Sequence, residues 1–192
     1  MILAPGAFLR VAFILGLTVL LQVAVVGQTD LFGGRADLVP LGVAAIAYYA
    51  GSVSGTAAGF FAGFLLDLVT GGTLGASSLV LSAVGYAVGR FRELRDPSHG
   101  LLPIAVGALA TFAWAVAFAG VSFMLDIGAT ISPLVIREML LTTLLNAALA
   151  LPLFAACRTL LRPSLAVDPL EQRRRRRPPR ETGPLGLRGL EV

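Results

Sequence analysis

The sequence predicts an all-α polytopic membrane protein, a bundle of six transmembrane helices. Three observations predict it. The mean hydropathy is +0.84 with only 14% charged residues, a composition no water-soluble core of this length carries. Apolar runs of helix-spanning length recur along 192 residues. The basic residues, all Arg, gather on one side of those runs, as the positive-inside bias requires.

The first run, 11–27, follows Arg10 and contains Gln22. It resembles a signal sequence but lacks a convincing small-x-small cleavage site, so it reads as an uncleaved first span. A polar loop from Gln28 to Asp37 follows. Residues 38–89 carry one formal charge, Asp67. Arg10 and the basic RFRELRD loop after Gly89 both belong inside, so an even number of spans must precede that loop. This places three spans, 38–51, 53–69 and 73–89, after the first. They are short and require tilt or local bilayer thinning. The fifth span is 101–125, with Phe112, Trp114 and Phe118; the sixth is 134–157, with Asn146 and a kink expected at Pro152. Residues 1–162 thus form the membrane domain. The Arg- and Pro-rich segment 163–192 reads as a disordered cytoplasmic tail. With both termini inside, thirteen Arg and six acids lie in the cytoplasm, and two Arg and five acids lie outside.

One cysteine and one histidine exclude a disulfide within the chain and any Cys- or His-rich metal site. No nucleophile–base pair or cofactor motif is evident, so neither catalysis nor a cofactor is expected. Asp67 with Glu138 is the one acid pair an enzyme could use, and Arg137 beside it reads as charge neutralisation. Despite a pI near 10.2, no aromatic platform accompanies the basic residues, so nucleic acid is not an expected partner. The run Arg173, Arg174, Arg175, Arg176 and Arg177 suits attraction to anionic lipid, at about 1 kcal/mol per Arg near the surface.

The most distinctive stretch is GSVSGTAAGFFAGFLLDLVTGGTLG, residues 51–75. Glycine recurs every fourth residue at Gly51, Gly55, Gly59 and Gly63. In lipid such a row lets a second helix approach closely. Gly55, Gly59, Gly63 and Gly75 are therefore candidates for helix packing within the chain or for contact with a partner's helix. Asp67 falls near the outer end of its span, where the helix dipole disfavours a carboxylate. A polar cluster of Asp37, Asp67, Arg137 and Glu138 at the outer face is the expected solution. Gln22 and Asn146, mid-span, are expected to hydrogen-bond between helices.

The order of these features resembles the rod shape-determining MreD family. The resemblance rests on Asp37-Leu38 with Pro40 close by, GFFAGFLLDL from Gly59 to Leu68, Leu74-Gly75 after a short turn, and Gly85-Tyr86. It implies a non-enzymatic inner-membrane component of the cell-elongation machinery that regulates cell shape. The implied partners are the bitopic protein MreC, the RodA and class B penicillin-binding protein complex, and indirectly MreB filaments, all acting in lateral peptidoglycan synthesis. The implied fold is similar to the six-helix substrate-binding subunits of energy-coupling-factor vitamin transporters, and such a subunit is the alternative reading of function. As motif positions the resemblance carries over Asp37, Gly59, Gly63, Asp67 and Gly75, for packing or partner contact.

Overall fold

The computed structural model describes residues 5–24, 34–94, 102–125 and 133–161. They form six helices: α1 (Pro5–Ala24), α2 (Leu38–Ala50), α3 (Ser52–Thr70), α4 (Ala76–Leu94), α5 (Leu102–Met124) and α6 (Pro133–Leu161). No strand forms among the described residues. Three helices therefore divide the stretch between 38 and 94. The last runs five residues beyond the expected limit of 89, because Arg90, Arg92 and Glu93 extend it past the apolar segment. Helix α6 continues unbroken through Pro152 to Leu161. The arginine run 173–177, the rest of the tail and His99 lie outside the described residues.

The hub is α2. Every residue from Val39 to Tyr48 is buried, and α2 packs on all five other helices. Its sequence, LVPLGVAAIAYYA, explains this: no position before Tyr48 carries a polar side chain, and Gly42, Ala44, Ala45 and Ala47 let neighbours close in. A helix apolar on all sides is stable only when covered on all sides. Pro40 is tolerated because it stands in the first turn, where its missing N–H has no helical partner anyway. At 13 residues α2 is about 20 Å long, shorter than the roughly 30 Å hydrocarbon core. Its ends must therefore be finished by polar groups from other helices.

By length and apolar composition, α3, α5 and α6 are each sufficient to cross a membrane; α2 and the Leu9–Ala24 part of α1 are shorter apolar stretches. The outer surface is apolar: Phe13 and Leu20 on α1, Phe60 and Phe64 on α3, and Leu140 and Leu144 on α6 are all exposed. Continuous apolar exposure on this scale suits a hydrocarbon surrounding, not water.

The most extensive interface joins α3 and α4. Gly55, Gly59 and Gly63 of α3 lie directly on the backbone of α4 at Gly85, Leu81 and Ser78. A Cβ at Gly55 would sit 2.5 Å from Ala47 Cβ and 2.6 Å from the Gly85 carbonyl oxygen. Gly89 lies in turn against Ser52. The face expected to receive a second helix is therefore filled by the chain's own next helix.

Candidate functional site

The polar side chains that hydrogen-bond between elements gather in two places: the ends of the α3–α4 hairpin and the start of α2. At the hairpin turn, α3 ends at Gly71, whose φ of +68° is left-handed. The backbone carbonyl of Asp67 accepts from the Gly71 amide and, at 3.2 Å, from the Gly72 amide. The Asp67 side chain, 3% exposed, begins the next helix. Its Oδ2 accepts from the Gly75 amide at 2.8 Å and the Ser77 amide at 3.2 Å. Gly75, at φ +96°, supplies the left-handed backbone that aims its N–H at the carboxylate. One aspartate thus closes one helix and opens the other. A carboxylate disfavoured at the C-terminus of α3 is stabilised by the N-terminal amides of α4.

The opposite end repeats the device. Glu93, in the last turn of α4, takes the Ser52 amide at 2.9 Å and the Ser52 hydroxyl at 2.7 Å on its Oε1. That caps the start of α3. Arg92 Nη1 donates at 3.0 Å to the carbonyl of Tyr49, covering the end of α2. The bond from Ser52's amide, then that from its hydroxyl, hold the Glu93 carboxyl below its usual value against the opposing effect of burial, with a lesser contribution from Arg90. A carboxyl lowered by folding stabilises the protein above its unfolded value, near 4.5, and that stabilisation is lost as the pH falls through the lowered one. The pH profile of thermal unfolding should therefore show an acid limb that Glu93→Gln reduces. The Arg90–Glu93 pair, 3.4 Å apart and exposed, contributes little by itself.

The second place is the start of α2. The Leu38 amide donates to Gln22 Oε1 at 2.7 Å, and Gln22 Nε2 donates to the Ala36 carbonyl at 3.3 Å. The Asp37 amide donates to Asn146 Oδ1 at 3.0 Å, while Asn146 Nδ2 donates to the Asp37 carbonyl at 2.6 Å and to Thr111 Oγ1 at 2.9 Å. The indole of Trp114 donates to Asp37 Oδ2 at 2.8 Å. Residues from α1, α5 and α6 therefore meet at the first turn of the hub. Gln22 and Asn146 hydrogen-bond between elements as expected: Gln22 to backbone groups, Asn146 to backbone and to the Thr111 hydroxyl. Replacing Asn146 with Leu would strand the Asp37 amide and carbonyl, costing about 2–4 kcal/mol. Chemical or thermal unfolding in a lipid nanodisc would read that loss directly.

The four residues expected in one outer cluster are not joined. Asp67 is held by amides of the α3–α4 turn, and Asp37 by Trp114 and Asn146. Arg137 and Glu138 are exposed on α6. Helix α3 packs on α1, α2 and α4, whereas α6 packs on α1, α2 and α5, so Asp67 and Arg137 share no interface. The physical reason is economy of distance. The turn brings amide donors within hydrogen-bond reach of Asp67, and an arginine partner is unnecessary. Glu93, Ser52 and Gly89 were not singled out by sequence reasoning. The spacing of small residues at Ser78, Ser82, Gly85 and Gly89, matching Gly55, Gly59 and Gly63, was the signal for the α4 side.

Chemically these groups form joints between helices. No group of His, Cys, Asp and Glu able to hold a metal occurs among the described residues. Cys157 is buried at 1% exposure. Two grooves are apolar. One between α4 and α5 is lined by Val84, Val88, Phe91, Val106 and Leu109; one between α1 and α3 by Val11, Leu15, Ser54, Ala58 and Phe61. Neither offers the several converging polar groups that a vitamin would need.

Comparison with protein families gives a match over most of the chain. The family described as rod shape-determining protein MreD matches residues 5–162. The chain belongs to the MreD family. No individual curated protein and no solved structure matches it. Membership assigns this MreD-family chain a role in rod-shape determination and a place in the membrane. The matched region contains both hydrogen-bonded joints and the whole α3–α4 hairpin.

Proposed function

We propose that the chain is a non-enzymatic component of the bacterial inner membrane that scaffolds lateral peptidoglycan synthesis during cell elongation. It does so by holding an MreC-like bitopic protein through helix contact. The observation that carries this reading is the family match across residues 5–162. It is supported by the use made of the polar side chains described above, which hold helices together. Six crossings with both termini in the cytoplasm, in a bundle like the substrate-binding subunits of energy-coupling-factor transporters, is the architecture proposed with it. RodA with a class B penicillin-binding protein, and MreB filaments indirectly, complete the proposed assembly. Arg173 to Arg177 would hold the tail to anionic lipid.

Because α4 already fills the glycine face of α3, a partner's helix must take the exposed apolar surface of the bundle. Capture of the tagged full chain from its native membranes tests the reading. Recovery of an MreC-like protein, identified by mass spectrometry, is the expected result. Its consistent absence, with a vitamin retained instead, would favour a transporter subunit.

A further inference from the structure

The segment 34–37 forms a strap that enters α2 from the side of α6. Gly34 lies against Leu141, where a Cβ would come within 2.7 Å of the leucine's Cβ. Ala36 is buried, and the next two amides, of Asp37 and Leu38, end on Asn146 and Gln22. At the end of this strap, where it enters α2, stands a carboxylate with one side-chain donor. Asp37 Oδ2 has the Trp114 indole, whereas Oδ1 is buried with no partner. We propose that Asp37 is a proton-binding site whose occupancy sets how tightly the strap is clasped against α1, α5 and α6.

The surroundings favour the neutral form. The groups facing Asp37 from the packed helices are Gln22 on α1, Thr111 and Trp114 on α5 and Asn146 on α6, and none is charged. The described parts of α2 and α5 hold no charged residue. On α1 and α6 the charged residues are Arg10, Arg137, Glu138 and Arg158, all exposed. Glu138 stands about 12 Å along the helix from Asn146, Arg137 slightly further, and Arg10 and Arg158 about 18 Å from Gln22 and Asn146. Arg35, on the strap itself, is exposed. Burial accordingly pushes the Asp37 carboxyl from 3.8 up to about 6, against the Trp114 bond and a lesser pull from the nearby Val39 amide, which makes no capping hydrogen bond to the side chain.

The sign follows from linkage. A carboxyl raised by folding gives the clasped state its full stability below the unfolded value, and that stability is lost as the pH rises through about 6. Opening the strap admits water to Oδ1 and favours the carboxylate; binding a proton favours closure. The clasped form binds the proton about 100-fold more tightly than the open one, by the shift of about two pH units. This inference does not depend on the rod-shape reading.

The chain holds a single tryptophan, and its indole is the group bonded to Asp37, so its emission reports this site alone. The full chain in lipid nanodiscs, titrated from about pH 4 to about pH 8, should show an emission change with a midpoint near 6. Asp37→Asn should abolish the change. His99→Gln should leave it, which separates Asp37 from the one histidine, whose ordinary value of about 6.5 lies close by. In the unmodified chain, exchange of the Leu38 amide, corrected for its intrinsic pH dependence, should rise by up to about 100-fold across the same range. A midpoint in the ordinary carboxylate range, a transition that vanishes with His99→Gln, or corrected exchange that does not change with pH would overturn the proposal.

Discussion

Replacing Gly59 with Leu should prevent stable folding of the membrane domain. A side chain there meets the Leu81 carbonyl and the Ser82 amide of α4, which are backbone and cannot turn aside. Gly63 faces the backbone at Ser77 and Ser78 in the same way. Overpacking a filled core site costs about 1–3 kcal/mol where neighbours can shift; here two helices must separate, so the loss should reach at least about 3 kcal/mol. That is a large share of the roughly 5–15 kcal/mol that holds a typical domain together. Gly71→Ala is the contrasting control: nothing lies within 4 Å of an added Cβ there, and the cost is confined to about 1–2 kcal/mol of left-handed backbone strain. Thermal unfolding of both variants in the same lipid, with membrane levels measured alongside, gives the comparison. A Gly59→Leu chain of normal stability that merely failed to bind a partner would mean that the face is open.

The second large effect is expected at Asp67. Asp67→Ala leaves the Gly75 and Ser77 amides without their acceptor at a site that α3 and α4 close off. Two charge-assisted bonds are lost, and destabilisation of about 2–4 kcal/mol should follow. Asp67→Asn keeps an oxygen for the two amides and loses the charge that suits a helix N-terminus, so about 1 kcal/mol is expected. Function should track stability: the Asn variant should support rod shape nearly as well as the unmodified chain. Full loss of shape support in a stably folded Asn variant would instead assign the carboxylate a chemical task.

Much of this architecture was legible in the residues. The apolar runs and the bias of arginine gave six helical segments, and the glycine row identified α3 as a helix built for close approach. The partner of that row was not legible, because periodicity shows that a face is small without showing what meets it. The small residues of α4 held the answer, but Ser and Gly in a helix with a polar end read as ordinary. The central place of α2 was hidden for another reason. Short spans of low charge look alike in composition, and burial on all sides is a tertiary property. For Asp67 the long-range rule that charges near a bilayer are paired with opposite charges led toward Arg137. The local geometry, an aspartate eight residues before a left-handed glycine, won because hydrogen bonds from the following turn need no distant partner. Asp37 was legible as a motif position. Its bond to Trp114, 77 residues away in sequence, was not.

These observations converge on one claim: α3 and α4 hold each other through a carboxylate at each end and a glycine face between. Amide hydrogen exchange of the full chain in lipid nanodiscs tests it most directly. The amides of Gly75 and Ser77 at one end, and of Ser52 at the other, should exchange slowly. Asp67→Asn should quicken the first two and spare Ser52, and Glu93→Gln should do the reverse. Rapid exchange at all three sites in the unmodified chain would contradict the account.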